Sequence, residues 1–371
     1  MRTLIFLICN FIVSFAIPQV KDRGVSRLIQ NDWETLAEGT TLRYFNPDKY
    51  YTGASEDDIW EKMGEDIICK VDDNLNVNLL VPGGFNSNKP FKLMTHGFSS
   101  KVTGGKTAFV NAWMQAYAQE VNVILVNWPD LAFIGQVEDW DNLAYDSAAR
   151  NSIDVGEYLG QCLGALSSQG GIPGSSFHLA GHSLGAHLIG KAGRTFKEVT
   201  GQPLARLTGC DPAGPRFIDG PLLDAIPELH KNRISPESAA FVDIIHTDAS
   251  LEPAGVWIIP RLGDLNPLGH MDFYPDGGSS QPGCGIFGPD YLPADICSHK
   301  RSYYYLLHSI LEPMLFPSKE CKDVEVCHDE EVISNDIVAF MGEKAQDYYT
   351  GERKLYFLTI DDDHWDYNEH N

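Results

Sequence analysis

The sequence predicts an α/β fold: a mostly parallel central sheet with helices on both faces. Three observations lead there. Short, mostly apolar runs alternate with longer helix-patterned stretches, those runs have the length and residue types of buried strands, and one of them passes into a helix pattern through a glycine-flanked turn. Strands buried on both faces read as unbroken apolar runs, as parallel sheets require.

Taken in chain order, the first feature is Leu4–Phe15, an apolar run behind Met1 and Arg2 and ahead of Ala16. About twelve residues cannot span a bilayer, which needs roughly twenty. The basic start and small-residue end predict a secretory signal peptide over 1–16. Residues 17–371 are expected to form one domain, with an acidic, frayed tail at 361–371. No later segment could cross a membrane, so a soluble, exported product is expected.

Phe91–Met94, Val121–Trp128, Phe177–Ala180, Leu204–Gly209 and Phe241–His246 have the length and residue types of buried strands. Between the second and third, Ala144, Ala148, Val155, Leu159, Cys162 and Leu166 recur with helical period, and Asp141 suits the N-cap. Residues 249–268 break the alternation. They hold Leu251, Val256, Trp257, Ile258, Ile259 and Leu262 among Pro and Gly, and such apolar groups in a loop point to an exposed binding face. A second break, 285–296, is enclosed by Cys284 and Cys297.

Apart from Cys9, seven cysteines remain and none has zinc-finger spacing, so in an oxidising compartment disulfides are the default. Cys284 with Cys297 and Cys321 with Cys327 are the natural local pairs. Cys69, Cys162 and Cys210 have no assigned partner, and an odd count leaves at least one thiol over. There is no Asn-x-Ser/Thr sequon. With 28 Lys+Arg against 51 Asp+Glu the net charge is -23, which argues against nucleic-acid binding and against docking on anionic lipid. Much of the excess acid sits in residues 319–371, which carry 15 Asp+Glu and 5 Lys+Arg.

The chemistry concentrates at Gly181-His182-Ser183-Leu184-Gly185. Gly-x-Ser-x-Gly between a strand and a helix is the context of a nucleophile elbow, in which the glycines let neighbouring backbones crowd a strained serine. A serine needs a base to take its proton and an acid to orient the base, in the chain order Ser, Asp or Glu, His. Asp211 closes the next strand and is the expected acid, with Asp243 and Asp248 as rivals. His299, beside Cys297, is the expected base, with His246, His270, His308 and His328 as rivals; His246 and His270 are expected to shape the 249–268 loop instead. Oxyanion donors are expected from the N–H groups of Leu184 and Phe98, the latter in the loop His96-Gly97-Phe98 after an early strand. The Phe98 side chain suits the core equally well.

These motifs, with Asp211-Pro212-Ala213-Gly214-Pro215, His246-Thr247-Asp248, Gly269-His270-Met271-Asp272-Phe273 and Cys297-Ser298-His299, resemble the animal pancreatic lipase family. The resemblance runs from about residue 40 to 360. It implies an α/β-hydrolase fold, secretion and hydrolysis of lipid esters, with Ser183, Asp211 and His299 as the triad. It also implies that 285–296 is a lid and 249–268 a second substrate-covering loop. Trp257, Ile258, Ile259, Phe287, Tyr291 and Leu292 are therefore the expected acyl-chain contacts, and a lipid interface the expected partner. Adsorption there should be hydrophobic and insensitive to salt.

Two departures qualify it. The sequence stops near the family's last catalytic-domain strand, at Tyr356–Ile360, without the β-sandwich that engages colipase, so no colipase is expected. Calcium-binding members place aspartates where this sequence has Ser235 and Ser238, so no metal and no other cofactor is expected. A short lid suits phospholipids, as in A1-type phospholipases, whereas a long apolar second loop suits acylglycerols. The expectation is an acylglycerol lipase, with phospholipase A1 as the alternative and a non-catalytic, yolk-type lipid binder as a lesser one.

Overall fold

The computed structural model describes residues 31–49, 58–83, 85–101, 106–132, 142–219, 224–249, 261–284, 294–330 and 332–361. The signal peptide, Asp141, most of the acidic tail and the six expected acyl-chain contacts lie outside them. Three further residue ranges matter for the site, and all fall within one compact unit from Asp32 onward: the ends of the central strands, one long helix start, and the turn 261–264.

Twelve strands form one sheet in the order β11-β10-β12-β9-β8-β7-β6-β4-β5-β1-β2-β3. They are β1 (Thr41–Phe45), β2 (Gly64–Val71), β3 (Val77–Leu80), β4 (Phe91–Thr95), β5 (Asn122–Asn127), β6 (Phe177–His182), β7 (Arg206–Cys210), β8 (Phe241–Ile245), β9 (Met271–Pro275), β10 (Pro317–Cys321), β11 (Ala339–Phe340) and β12 (Lys354–Leu358). The seven from β12 to β5 run parallel, and antiparallel strands extend both edges. All five strands expected from the sequence are present, each within two residues at both ends.

Alternate side chains of the central strands enter different cores. Leu93, Ile124, Leu179, Leu207 and Ile244 belong to one, and Met94, Val123, Leu125, Ala180 and Ile245 to the other. The first is covered by α2 (Asn142–Gly170) and α3 (Leu184–Thr200), and the second by α1 (Ala108–Ala116) and α4 (Ala294–Leu311). This is the α/β-hydrolase arrangement, and burial on both faces explains why the strands are mostly apolar. The α2 and α3 backbones approach closely: a Cβ on Gly156 would lie 2.5 Å from the Leu188 carbonyl oxygen.

Three disulfides join Cys69–Cys162, Cys284–Cys297 and Cys321–Cys327, and Cys210 is a buried free thiol. The first ties β2 to α2 across 93 residues; closing so long a loop in the unfolded chain stabilises the fold by roughly 4–5 kcal/mol in the chain-entropy account. Among the described residues no helix is long and apolar enough to cross a membrane.

The 249–268 segment departs from the expectation of an exposed apolar loop over the part that is described. Ala249, Leu265 and Leu268 are buried, because the backbone here is hydrogen-bonded to the sheet's end: Gly214 N–H to Leu262 O at 2.8 Å and Asp264 N–H to Pro212 O at 2.9 Å.

Ser235 and Ser238 cap a short 3-10 turn. Beside it the Arg194 guanidinium donates to Ser238 Oγ (2.8 Å) and to the carbonyls of Asn232 (2.9 Å) and Arg233 (3.0 Å). A built-in cation thus gathers the oxygens of this turn, where a divalent ion would want carboxylates. Arg194→Ala should lower the melting temperature by a few degrees, since charge-assisted hydrogen bonds are worth roughly 1.5–3 kcal/mol each. EDTA should leave the wild-type melting curve in place; differential scanning fluorimetry reads both.

Candidate active site

Ser183 follows the last residue of β6 and caps α3, at φ 58 and ψ -124. That left-handed backbone is strained for a residue with a side chain, and two tight contacts enforce it. A Cβ on Gly181 would lie 2.2 Å from Gly185 O, and one on Gly97 would lie 2.5 Å from Ser183 Cβ. The glycines on both sides of the serine are therefore a packing requirement. Ser183 N–H donates to Cys210 O at 3.0 Å, which locks the turn to the neighbouring strand.

Because β6 and β7 pair up to His182 and Cys210, Ser183 and Asp211 leave adjacent strands at the same level. Asp211 also has positive φ, at 45°, and is fully buried. Its Oδ1 accepts the backbone N–H groups of Thr247 (2.8 Å) and Asp248 (3.2 Å). Its Oδ2 accepts Nδ1–H of His299 at 2.5 Å, a bond that fixes the tautomer with Nε2 bare. His299 sits in the first turns of α4, two residues after Cys297, so the Cys284–Cys297 disulfide anchors its approach. Among the described residues no hydrogen bond joins Ser183 to the His299 ring. Such bonds commonly tighten only with substrate bound.

The loop after β4 meets the serine from the other side. His96 is buried and stacks on Trp128 at 5.3 Å. Its Nε2 accepts Trp128 N–H (3.0 Å), which leaves Nδ1–H to donate to Gly97 O (3.0 Å). Burial drives its pKa down to about 3, so the ring is neutral and keeps both roles across the physiological range. The Gly97–Phe98 peptide is thereby held against Ser183. Leu184 opens α3, where its N–H has no intrahelical acceptor. The Phe98 ring is half-buried and meets Tyr145 edge-on at 5.2 Å.

Most of the rival residues have other side-chain partners. Asp243 forms a two-bond ion pair with Arg206 (2.8 and 2.9 Å). Asp248 takes Arg261 at 2.8 Å. His246 bonds Asp264 O (2.6 Å) and Asp272 (3.0 Å), and His270 Nδ1 accepts Val242 N–H (3.0 Å), so both brace the strand ends around the 261–269 turn. His328 bonds its neighbour Asp329 at 3.2 Å, and His308 lies near the far end of α4.

Two residues escaped the sequence reading. His182 Nε2–H donates to His299 O at 3.1 Å, and the two rings lie 4.5 Å apart; burial and then the nearby His299 push its pKa well down, so it is neutral. Gln281 donates to the carbonyls of Thr247 (3.2 Å) and Pro275 (2.9 Å), accepts from Tyr305 OH (3.0 Å), and its N–H meets Ser298 Oγ (3.1 Å). It joins the strand end that supports Asp211 to the helix that carries His299. The histidine inside the Gly-x-Ser-x-Gly motif was a usable signal for the first; nothing local marks the second.

The Lipase family profile matches residues 76–364. The chain belongs to the lipase family. It is 32% identical over 287 residues to the human inactive pancreatic lipase-related protein 1, covering 70% of this chain and 54% of that protein. It is 35% identical over 254 residues to the pancreatic triacylglycerol lipase of Myocastor coypus, covering 64% and 49%. With the hepatic triacylglycerol lipase of Oryctolagus cuniculus it shares 35% over 258 residues, covering 65% and 46%. This lipase-family chain thus spans about half the length of the curated relatives it matches. One of those relatives is named inactive, so membership alone does not decide activity and the weight falls on the geometry around Ser183.

Proposed function

We propose that this lipase-family chain is a secreted carboxylic-ester hydrolase that releases fatty acids from acylglycerols through an acyl-serine intermediate. The observation that carries the reading is the Asp211–His299 bond at 2.5 Å beside a serine held at φ 58. Ser183 Oγ attacks the ester carbonyl while His299 Nε2 takes its proton, and Asp211 holds the ring in the tautomer that allows it. The N–H groups of Leu184 and Phe98 receive the oxyanion. His299 then hands the proton to the departing alcohol, and water attacks the acyl-serine by the same route in reverse.

Secretion is supported by the leader-like residues 1–16 and by three disulfides. The apolar character of Trp257, Ile258, Ile259, Phe287, Tyr291 and Leu292 supports their assignment as acyl-chain contacts. The names of the pancreatic and hepatic relatives support triacylglycerol as substrate, whereas the short interval between Cys284 and Cys297 favours phospholipid. Fatty-acid release from triolein and from phosphatidylcholine emulsions, measured side by side, tests the reading. Triolein is expected to be the faster substrate. Faster release from phosphatidylcholine would make this an A1-type phospholipase, and release from neither would remove the lipase assignment.

A further inference from the structure

Lys106 is only 4% exposed and stands just ahead of α1. Lysine is rarely buried, and a cation before a helix N-terminus opposes the dipole there. Neither solubility nor the stability of α1 accounts for its place, and its side chain points to other partners. The ammonium donates to Ser100 Oγ at 3.3 Å and lies over the Tyr303 ring, 4.6 Å from its centroid. Its charge reaches both His96 and His182.

Those two partners belong to opposite sides of the nucleophile. Ser100 lies in the loop after β4, where Gly97 packs against Ser183. Ser99, at a left-handed φ of 48°, donates its N–H to Ala132 O at 3.1 Å. Phe98, the candidate oxyanion donor, sits between these two fixed residues. Tyr303 is buried in α4, about one helical turn beyond His299. Its ring stands at 72° to that of His182, with the centroids 5.0 Å apart, and His182 in turn holds His299 O. Lys106 therefore reaches the oxyanion side of the serine by a hydrogen bond and the base side by a cation–π contact.

We propose that Lys106 is a positioning residue for the reaction at Ser183: its ammonium ties the loop that carries Phe98 to the helix that carries His299. This rests on the hydrolase reading above. An oxyanion donor works only where the developing charge will be, and a misplacement of about 1 Å can cost roughly a hundredfold in rate. The ammonium is engaged with Ser100 and Tyr303 rather than with substrate, so its loss should fall on kcat and spare KM.

The test is kcat and KM on soluble p-nitrophenyl butyrate, with the inhibition constant of an alkyl trifluoromethyl ketone, whose adduct with the serine carries the oxyanion. Wild type is compared with Lys106→Met, Lys106→Arg, Ser100→Ala, Tyr303→Leu and the double variant Lys106→Met/Tyr303→Leu. Lys106→Met keeps the apolar stem and removes the charge. It should lower kcat by roughly 10–100-fold, leave KM within about twofold, and weaken the ketone in proportion to kcat. Lys106→Arg, which keeps a cation able to stack on the ring, should recover most of the rate. Tyr303→Leu should also lower kcat, and the double variant should be no slower than the slower single variant, since a tie cut at one end is already cut. Thermal melts separate these losses from unfolding. If Lys106→Met fails to fold, Ser100→Ala at a partly exposed residue decides, with kcat expected to fall several-fold at constant KM. Wild-type kcat in the folded variants, a loss confined to KM, an arginine variant as slow as the methionine one, or additive losses in the double variant would overturn the proposal. A folded wild type with neither turnover nor fluorophosphonate labelling would bring down the hydrolase reading, and the proposal with it.

Discussion

Ser183→Ala should abolish fatty-acid release while leaving the melting temperature within a degree or two of wild type. The loss expected is roughly 10⁶-fold in kcat, the scale on which removal of an activated serine acts when its partners remain. The fold has little reason to respond. Ser183 N–H still reaches Cys210 O, and alanine removes only an oxygen. Alanine is no easier than serine to hold at φ 58, since the conformation is imposed by Gly97, Gly181 and Gly185 rather than chosen by residue 183. A variant that retained more than a percent of the turnover would move the nucleophile elsewhere.

Asp211→Asn should cost roughly 10³–10⁴-fold in kcat on p-nitrophenyl butyrate, with KM little changed. The geometry explains why so conservative a change is so costly. Asp211 Oδ1 is committed to the N–H groups of Thr247 and Asp248, so it must stay an acceptor, and the amide nitrogen of asparagine is forced to the Oδ2 position. There it faces His299 Nδ1 as a donor. The ring answers by placing its proton on Nε2, where it can no longer accept one from Ser183. Circular dichroism should be unchanged, and an activity loss below tenfold would mean that the His299 tautomer is set by something other than Asp211.

How much of this was legible beforehand depends on the range over which each constraint acts. Ser183 and Asp211 could be read because strand, turn and helix signals lie within a dozen residues of each, and the crowding that demands Gly181 and Gly185 is local. The central strands could be read because burial on both faces leaves no polar alternation to confuse. The sheet's edges could not be read so easily. β2 does alternate, with Ile67, Cys69 and Val71 buried and their neighbours exposed, but β10 is the sequence Pro-Ser-Lys-Glu-Cys and owes its place to pairing with β12.

Contacts between distant parts of the chain left the weakest trace. Cys69 and Cys162 are 93 residues apart, and no count of cysteines selects that pair over one with Cys210. Gln281 meets partners from 6 to 34 residues away, and Arg261 reaches Asp248, Ser279 and Ser280 on other turns. From composition alone the apolar loop 249–268 reads as exposed. Its described end is instead tied down by backbone bonds to Pro212, Gly214 and Asp248, which no hydropathy pattern encodes.

The central claim is that Ser183 is activated by His299 and Asp211. The most direct measurement is covalent labelling with a fluorophosphonate, followed by mass mapping of the modified peptide. One phosphonyl group on Ser183 per chain, absent from Ser183→Ala and slowed by orders of magnitude in His299→Ala, is the predicted result. A folded wild-type chain that takes up no label, or takes it up on another serine, would contradict the account.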